Sequence, residues 1–121
     1  VKKVRQSVRK AGFDVPIVSA GGIHNFEQAE AILAAEQGDV IGFARQALAD
    51  PDWFEKVRGG RGDDVRLCVY NNYCEGLDQK HKQVTCNQWD RLDDGTPCRK
   101  SHDGRRRLTA PDWQPVRLTD S

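Results

Sequence analysis

The chain has 121 residues, with 19 Lys and Arg against 18 Asp and Glu and a formal net charge of +1. That length allows one ordinary domain, and the near-neutral charge argues against nucleic acid or an anionic membrane as a partner. No apolar run approaches the roughly 20 residues of a membrane span, and there is no signal-peptide pattern, so we expect a cytoplasmic protein. The chain begins at Val1 and contains no Met. A complete translated chain begins with Met unless it is processed, so we expect a piece of a longer protein.

The first forty residues predict two helices separated by a strand. Valines recur at the spacing of one helix face over residues 1–12, which predicts a helix there. Residues 14–19 (DVPIVS) form a short β-branched run that is typical of a strand. Asn25 is suited to cap the next helix, with Gln28 as its capping-box partner. We expect this helix to end at Gly38.

The pattern then repeats. Residues 39–42 (DVIG) predict a second buried strand and residues 45–49 a helix, while Asp50, followed by a proline, is expected to cap a further helix that ends near Val57. Such alternation with short connections predicts right-handed crossovers and a parallel sheet. Two strands do not make a stable parallel sheet alone, because both faces of such a sheet must be covered. We therefore expect the remaining strands to lie in the missing N-terminal part.

The second half of the chain differs in composition. Val, Ile, Leu and Phe number 17 in residues 1–60 but only 9 in residues 61–121, which leaves little to bury a core. We predict an α/β domain over residues 1–60, a loop-rich cysteine-containing extension over 61–98 and a polar surface-running tail over 99–121. The three arginines at 105–107 are expected to be solvated, because no interleaved aromatics indicate a nucleic-acid site.

Two loops are candidates for binding a phosphate. Gly21 and Gly22 directly follow the first strand, where exposed backbone N–H groups can contact an anion. Taken alone, this pair is more often an ordinary tight turn. Ala44 and Arg45 occupy the same place after the second strand, and a guanidinium pairs well with phosphate. A lone surface arginine is usually just solvated, but two successive strand ends of this kind are typical of the phosphate cradle after strands 7 and 8 of a (β/α)8 barrel.

The segments PIVSAGGI and DVIGFARQALADPDW resemble the last two βα units of the old yellow enzyme family, in its 2,4-dienoyl-CoA reductase-like branch. The resemblance covers about residues 1–92. It implies the C-terminal portion of an FMN-binding (β/α)8 TIM barrel, with Gly21, Gly22, Ala44 and Arg45 on the FMN phosphate. Family members usually have Gly where Ala44 stands, and a Cβ there is tolerated if φ is negative.

The resemblance also implies an activity. Members of the family are FMN-dependent oxidoreductases in which NAD(P)H reduces the flavin and the flavin reduces a small-molecule electron acceptor. The family's carbonyl-binding pair and proton-donating tyrosine come from earlier strands, so we assign no catalytic residue here, and neither Tyr70 nor Tyr73 is given that role. We expect the 121-residue chain alone to be inactive without the N-terminal part of its barrel, and we leave homo-oligomerisation open.

The four cysteines all lie in the second half, as Cys68, Cys74, Cys86 and Cys98. Without a secretory signal they are interpreted as free thiols or metal ligands before disulfides. The resemblance implies a [4Fe–4S] motif, C-x2-C-x2or3-C-x11or12-C, but Asn71 stands at its second ligand and an amide is a poor iron ligand. We therefore expect no intact cluster and assign no metal ligand. The alternative is a small cysteine-based zinc or iron–sulfur module, although no C-x2-4-C pair supports one.

Overall fold

The computed structural model describes residues 1–114, and helices alternate with strands through its first 60 residues. The elements are α1 (Lys2–Lys10), β1 (Val18–Ala20), α2 (Phe26–Ala34), β2 (Val40–Gly42), α3 (Arg45–Ala49), α4 (Trp53–Arg58), a 3-10 helix (Gly62–Asp64) and α5 (Tyr73–Gln79). The predicted alternation is thus confirmed, while α5 was not predicted. None of the helices described is long and apolar enough to cross a membrane.

The strands β1 and β2 pair in parallel, with Val18 opposite Val40, as predicted. Each strand has only three residues, and β1 begins later than the apolar run at 14–19. The cause lies at Ile17, whose N–H donates to Asp39 Oδ2 at 2.9 Å and whose carbonyl accepts from the Asp39 N–H at 2.8 Å. The chain before β1 is therefore bonded to the turn that precedes β2, and regular ladder pairing starts only at Val18.

Charge, rather than apolar packing, attaches α1 to this sheet. No residue of α1 is buried. Arg5 Nε and Arg9 Nη2 pair with the Asp39 carboxylate at 3.0 and 2.9 Å. The backbone N–H of Ile17, followed by Arg5, holds the pKa of Asp39 below its ordinary value of 3.8.

The N-terminus of α2 follows the predicted cap with one difference. Asn25 Oδ1 accepts from the Gln28 N–H at 2.7 Å. The Gln28 side chain does not return to the Asn25 N–H, as a capping box would require. It accepts instead from the His24 N–H at 3.1 Å and donates to the Gly22 carbonyl at 2.8 Å. Gln28 therefore fastens the preceding glycine loop to the helix.

The expected cap at Asp50 is wrong, because α4 begins at Trp53 with Asp52 as its cap residue. Asp50 is buried and has other partners: it accepts from Lys56 Nζ at 2.6 Å, from the Arg66 N–H at 2.8 Å and from the Asp52 N–H at 3.0 Å. A buried ammonium requires a paired anion. The carboxylate therefore pairs with Lys56 and does not cap an N–H group of α4.

Individual side-chain hydrogen bonds connect residues 61–114 to the first part of the chain. The side-chain amide of buried Gln46 donates to the Arg66 carbonyl and accepts from the Cys68 N–H, both at 2.8 Å. The indole of buried Trp89 donates to the Leu48 carbonyl at 2.9 Å. These contacts hold the extension against α3.

The prediction of a solvated tail is wrong for residues 106 and 107. Lys100 and Arg107 form an antiparallel bridge, and the exposed fractions of Arg106 and Arg107 are only 6% and 3%. Arg106 Nη1 donates to Thr85 Oγ1 at 2.7 Å and to the Gln83 carbonyl at 3.1 Å. The guanidinium is buried because hydrogen bonds satisfy it there. The last part of the predicted tail, residues 115–121, lies outside the described residues.

Candidate functional site

The loop after β1 has the backbone expected of a glycine-dependent anion site. Gly21 and Gly22 have φ of +102° and +69°, which side chains other than glycine rarely adopt. A Cβ built at either glycine would meet no atom within 4 Å. The outer side of this loop is therefore open, and its backbone can be approached closely.

The loop after β2 accommodates its alanine without strain. Ala44 has φ of −115°, so the departure from the family's usual glycine carries no left-handed penalty. Gly42 is needed for packing instead, because a Cβ there would lie 2.9 Å from the Cγ1 of Val18. Ala44 and Arg45 are both exposed beyond the end of β2.

The two loops line the same open cavity. Its walls contain all four residues predicted from the sequence, Gly21, Gly22, Ala44 and Arg45, together with Tyr70. Parallel strands end at the same edge of a sheet, so the loops that follow them lie side by side. The structure brings these four residues together, and their role in binding a cofactor stays a prediction.

Two side chains that no sequence pattern had indicated, those of Tyr70 and Asn72, contact Arg45. The guanidinium lies over the Tyr70 ring, 4.7 Å from its centroid. Arg45 Nη1 donates to Asn72 Oδ1 at 2.8 Å. A guanidinium has five N–H donors, so these contacts leave others for an anion in the cavity. Asn72 has φ of +60°, and the tolerance of Asn for positive φ is a sequence signal for a turn at this position. No local sequence pattern indicated that Tyr70 would contact Arg45.

Tyr70 lines the open cavity, and its backbone N–H donates to Cys68 Sγ at 3.3 Å. Burial, followed by the electrostatic effect of the neighbouring Cys68, raises the pKa of its phenol, while Arg45 lowers that pKa less. Its hydroxyl lies 3.4 Å from the Nδ1 of His24. Tyr70 therefore presents a neutral aromatic face to the guanidinium at physiological pH.

A second, smaller cavity is lined by the residues at the positions of the [4Fe–4S] motif, and Arg45 lines this cavity as well. Cys68, Asn71, Cys74 and Cys86 all border it. All four cysteines of the chain are free, half-buried thiols. Burial is the main cause that raises the pKa of Cys86, so its neutral thiol is favoured over the thiolate that binds metals.

These residues do not fit a [4Fe–4S] cluster. The Asn71 amide donates to Asn87 Oδ1 and accepts from the Tyr73 N–H, both at 3.1 Å, so it is engaged within the loop. Cys98 does not border this cavity. Within residues 1–114, no group of three or more His, Cys, Asp or Glu side chains is placed to hold a metal ion. The expectation that the protein carries no cluster stays a prediction.

The chain thus forms a small α/β segment, with glycine- and arginine-bearing loops at the carboxyl edge of its two parallel strands. The sequence model of the NADH:flavin oxidoreductase / NADH oxidase family matches residues 2–64, just over half of the chain. The chain belongs to this family, whose members are TIM-barrel enzymes.

Individual relatives agree with this assignment. The chain is 35% identical over 78 residues to a bilirubin reductase of Mediterraneibacter gnavus (strain CC55_001C), a match that covers 64% of this chain and 12% of the relative. It is 34% identical over 59 residues to an NADH oxidase of Thermoanaerobacter brockii, covering 49% of this chain and 9% of that one. A solved 2-naphthoyl-CoA reductase complex matches with a TM-score of 0.53 and 29% identity, over 60% of this chain and 11% of that chain. The matched region thus spans only a small part of each relative.

Proposed function

We propose that residues 1–60 are the last two βα units of an FMN-binding (β/α)8 barrel. The longer protein that contains them, here called the parent protein, is then an FMN-dependent NAD(P)H oxidoreductase that reduces a small-molecule acceptor. One observation carries the proposal: Gly21, Gly22, Ala44 and Arg45 line one open cavity at the carboxyl edge of the two strands. Membership of the NADH:flavin oxidoreductase family supports the phosphate of a flavin as the ligand of that cavity.

The exposed apolar side chains of the sheet support the barrel. Val18 and Val40 face each other across the two strands, yet their exposed fractions are 55% and 48%. A parallel strand is normally buried on both faces. In the parent protein, neighbouring strands and helices would cover these valines and the outer edges of β1 and β2.

The residues of the cavity fit the phosphate of FMN. Gly21 and Gly22 offer backbone N–H groups on an open surface, where no Cβ keeps an anion at a distance. Arg45 adds a positive charge whose planar donors match phosphate oxygens. FMN, when bound, supplies the hydride chemistry. This chain's residues bind and orient its phosphate end, and we assign none of them to the reacting atoms.

The test compares Arg45→Ala with Arg58→Ala in the parent protein. Arg45 contacts the phosphate in this proposal, whereas Arg58 is an exposed residue at the end of α4. Losing a charge-assisted contact costs roughly 1.5–3 kcal/mol, which weakens binding roughly tenfold to a hundredfold. Fluorescence titration of each apoprotein with FMN measures this loss. Equal FMN affinities of the two variants would contradict the proposal.

A further inference from the structure

Arg45 is shared by the two cavities described above. It lines the open cavity of the glycine loops and also the small cavity bordered by Cys68, Cys74 and Cys86. The side chain that the proposed function places on the phosphate is thus in contact with the extension. The extension is therefore in a position to control that side chain.

Two different contacts restrain the Arg45 guanidinium. Asn72 Oδ1 accepts from its Nη1 at 2.8 Å, and the Tyr70 ring lies 4.7 Å below its central carbon. An exposed arginine otherwise samples many rotamers, and binding a ligand then costs side-chain entropy. With the guanidinium already oriented, less of this cost falls on the binding step.

The loop that carries these two residues is itself held in an uncommon conformation. Tyr70 and Asn72 have φ of +54° and +60°. Asn tolerates this region, whereas a bulky residue such as Tyr adopts it only when its surroundings hold it. The Tyr70 N–H donates to Cys68 Sγ at 3.3 Å, and the Cys68 N–H donates to Gln46 Oε1 at 2.8 Å. Gln46 directly follows Arg45, so the loop is fastened next to the residue it restrains.

We propose that Tyr70 and Asn72 are positioning residues that orient Arg45 toward the phosphate of the flavin, so that residues 61–98 set the preference of the protein for a phosphorylated ligand. The proposal rests on the proposed function of the glycine loops. It gives the extension a role that requires no metal.

The experiment compares FMN with riboflavin, which lacks the phosphate. Dissociation constants of both are measured for the parent apoprotein and its variants, and the ratio of riboflavin to FMN constants reports the contribution of the phosphate. Asn72→Gly removes the amide and keeps the positive φ accessible. Tyr70→Leu removes the ring, and Tyr70→Phe retains it.

We expect Asn72→Gly and Tyr70→Leu each to lower this ratio by roughly three- to tenfold, with riboflavin binding nearly unchanged. Tyr70→Phe should keep the ratio. Asn87→Ala is the matched control, because it removes a hydrogen bond to Asn71 of the same loop. In an Arg45→Ala background, Asn72→Gly should not change this ratio further, because the guanidinium that Asn72 contacts is absent.

The outcomes separate the two proposals. An unmodified protein without preference for FMN overturns both. A preference that Arg45→Ala abolishes but Asn72→Gly and Tyr70→Leu leave intact overturns only the positioning role. If the variants lose FMN and riboflavin affinity equally, or if their effects add to that of Arg45→Ala, the loop has only a structural role. Either result also overturns the positioning role.

Discussion

Residues 1–60 and residues 61–114 differ in how many large apolar side chains they leave exposed. Within residues 1–114, nine of the twelve exposed large hydrophobic side chains lie in the first region, although that region is the richer in apolar residues. The second region has few apolar residues, yet it buries Thr85, Asp90 and Arg106. Apolar content alone therefore does not determine which side chains of a region are buried.

The difference follows from what each region has available as a partner. Asp90, which is 1% exposed, accepts from the Tyr73 hydroxyl at 2.6 Å and from Thr85 Oγ1 at 2.8 Å, and Arg106 lies 3.9 Å away. Hydrogen bonds within the region thus replace a large apolar core. The valines of β1 and β2 have no such local substitute, because only another apolar surface can cover them.

The largest effect is expected when the first region is left uncovered. We predict that the isolated 121-residue chain is inactive and aggregation-prone, because strand edges and apolar side chains of residues 1–60 are exposed. Differential scanning calorimetry should record no sharp, cooperative transition for it. Such a transition would indicate a self-sufficient core and would contradict the view that residues 1–60 need further strands to cover them.

The second prediction concerns the network of the second region. Asp90→Ala should lower its stability by roughly 3–5 kcal/mol, because a buried guanidinium loses its anionic neighbour. The readout is hydrogen exchange of the Arg107 amide in the parent protein, since this N–H donates to the Asp90 carbonyl at 2.8 Å. Asp78→Ala, at an exposed position of α5, serves as the control. If the Arg107 amide exchanges at the same rate in both variants, the network around Asp90 contributes little to the stability of this region.

The third prediction tests the junction between the regions. Gln46→Ala leaves the Cys68 N–H and the Arg66 carbonyl without their side-chain partner. An unsatisfied buried group costs roughly 1–3 kcal/mol, so the Cys68 amide should exchange faster while β1 and β2 remain protected. Gln79→Ala, which changes an exposed residue, should have no such effect. Unchanged exchange at Cys68 would mean that other contacts hold the extension.

The smallest effect is a pH dependence at α1. The pKa of Asp39 is lowered, first by the hydrogen bond from Ile17 and then by Arg5. The ionised carboxylate therefore stabilises the fold fully above its ordinary pKa of 3.8, and this contribution disappears as the pH falls through the lowered pKa. The NMR shift of the Ile17 amide should titrate below pH 3.8 and become insensitive in Asp39→Asn. A midpoint at or above the ordinary value would contradict this.

Local signals were sufficient for much of the first region. Periodicity and glycine positions predicted α1, α2 and the two parallel strands, and the Asn25 cap was confirmed. The same reasoning predicted that the loops holding Gly21 and Arg45 lie side by side, because parallel pairing alone brings strand ends together. These features depend on residues close in sequence or on general rules of chain geometry.

What the tertiary structure decided depends on partners distant in the chain. Asp50 accepts from the backbone N–H of Arg66, 16 residues along the chain, Arg106 is buried against Thr85, and Tyr70 and Asn72 reach Arg45 from 25 and 27 residues away. None of these contacts has a local sequence pattern. The physical reason is that a buried charge or amide is stabilised by whichever partner the folded chain brings to it, and propensity and periodicity describe only neighbours.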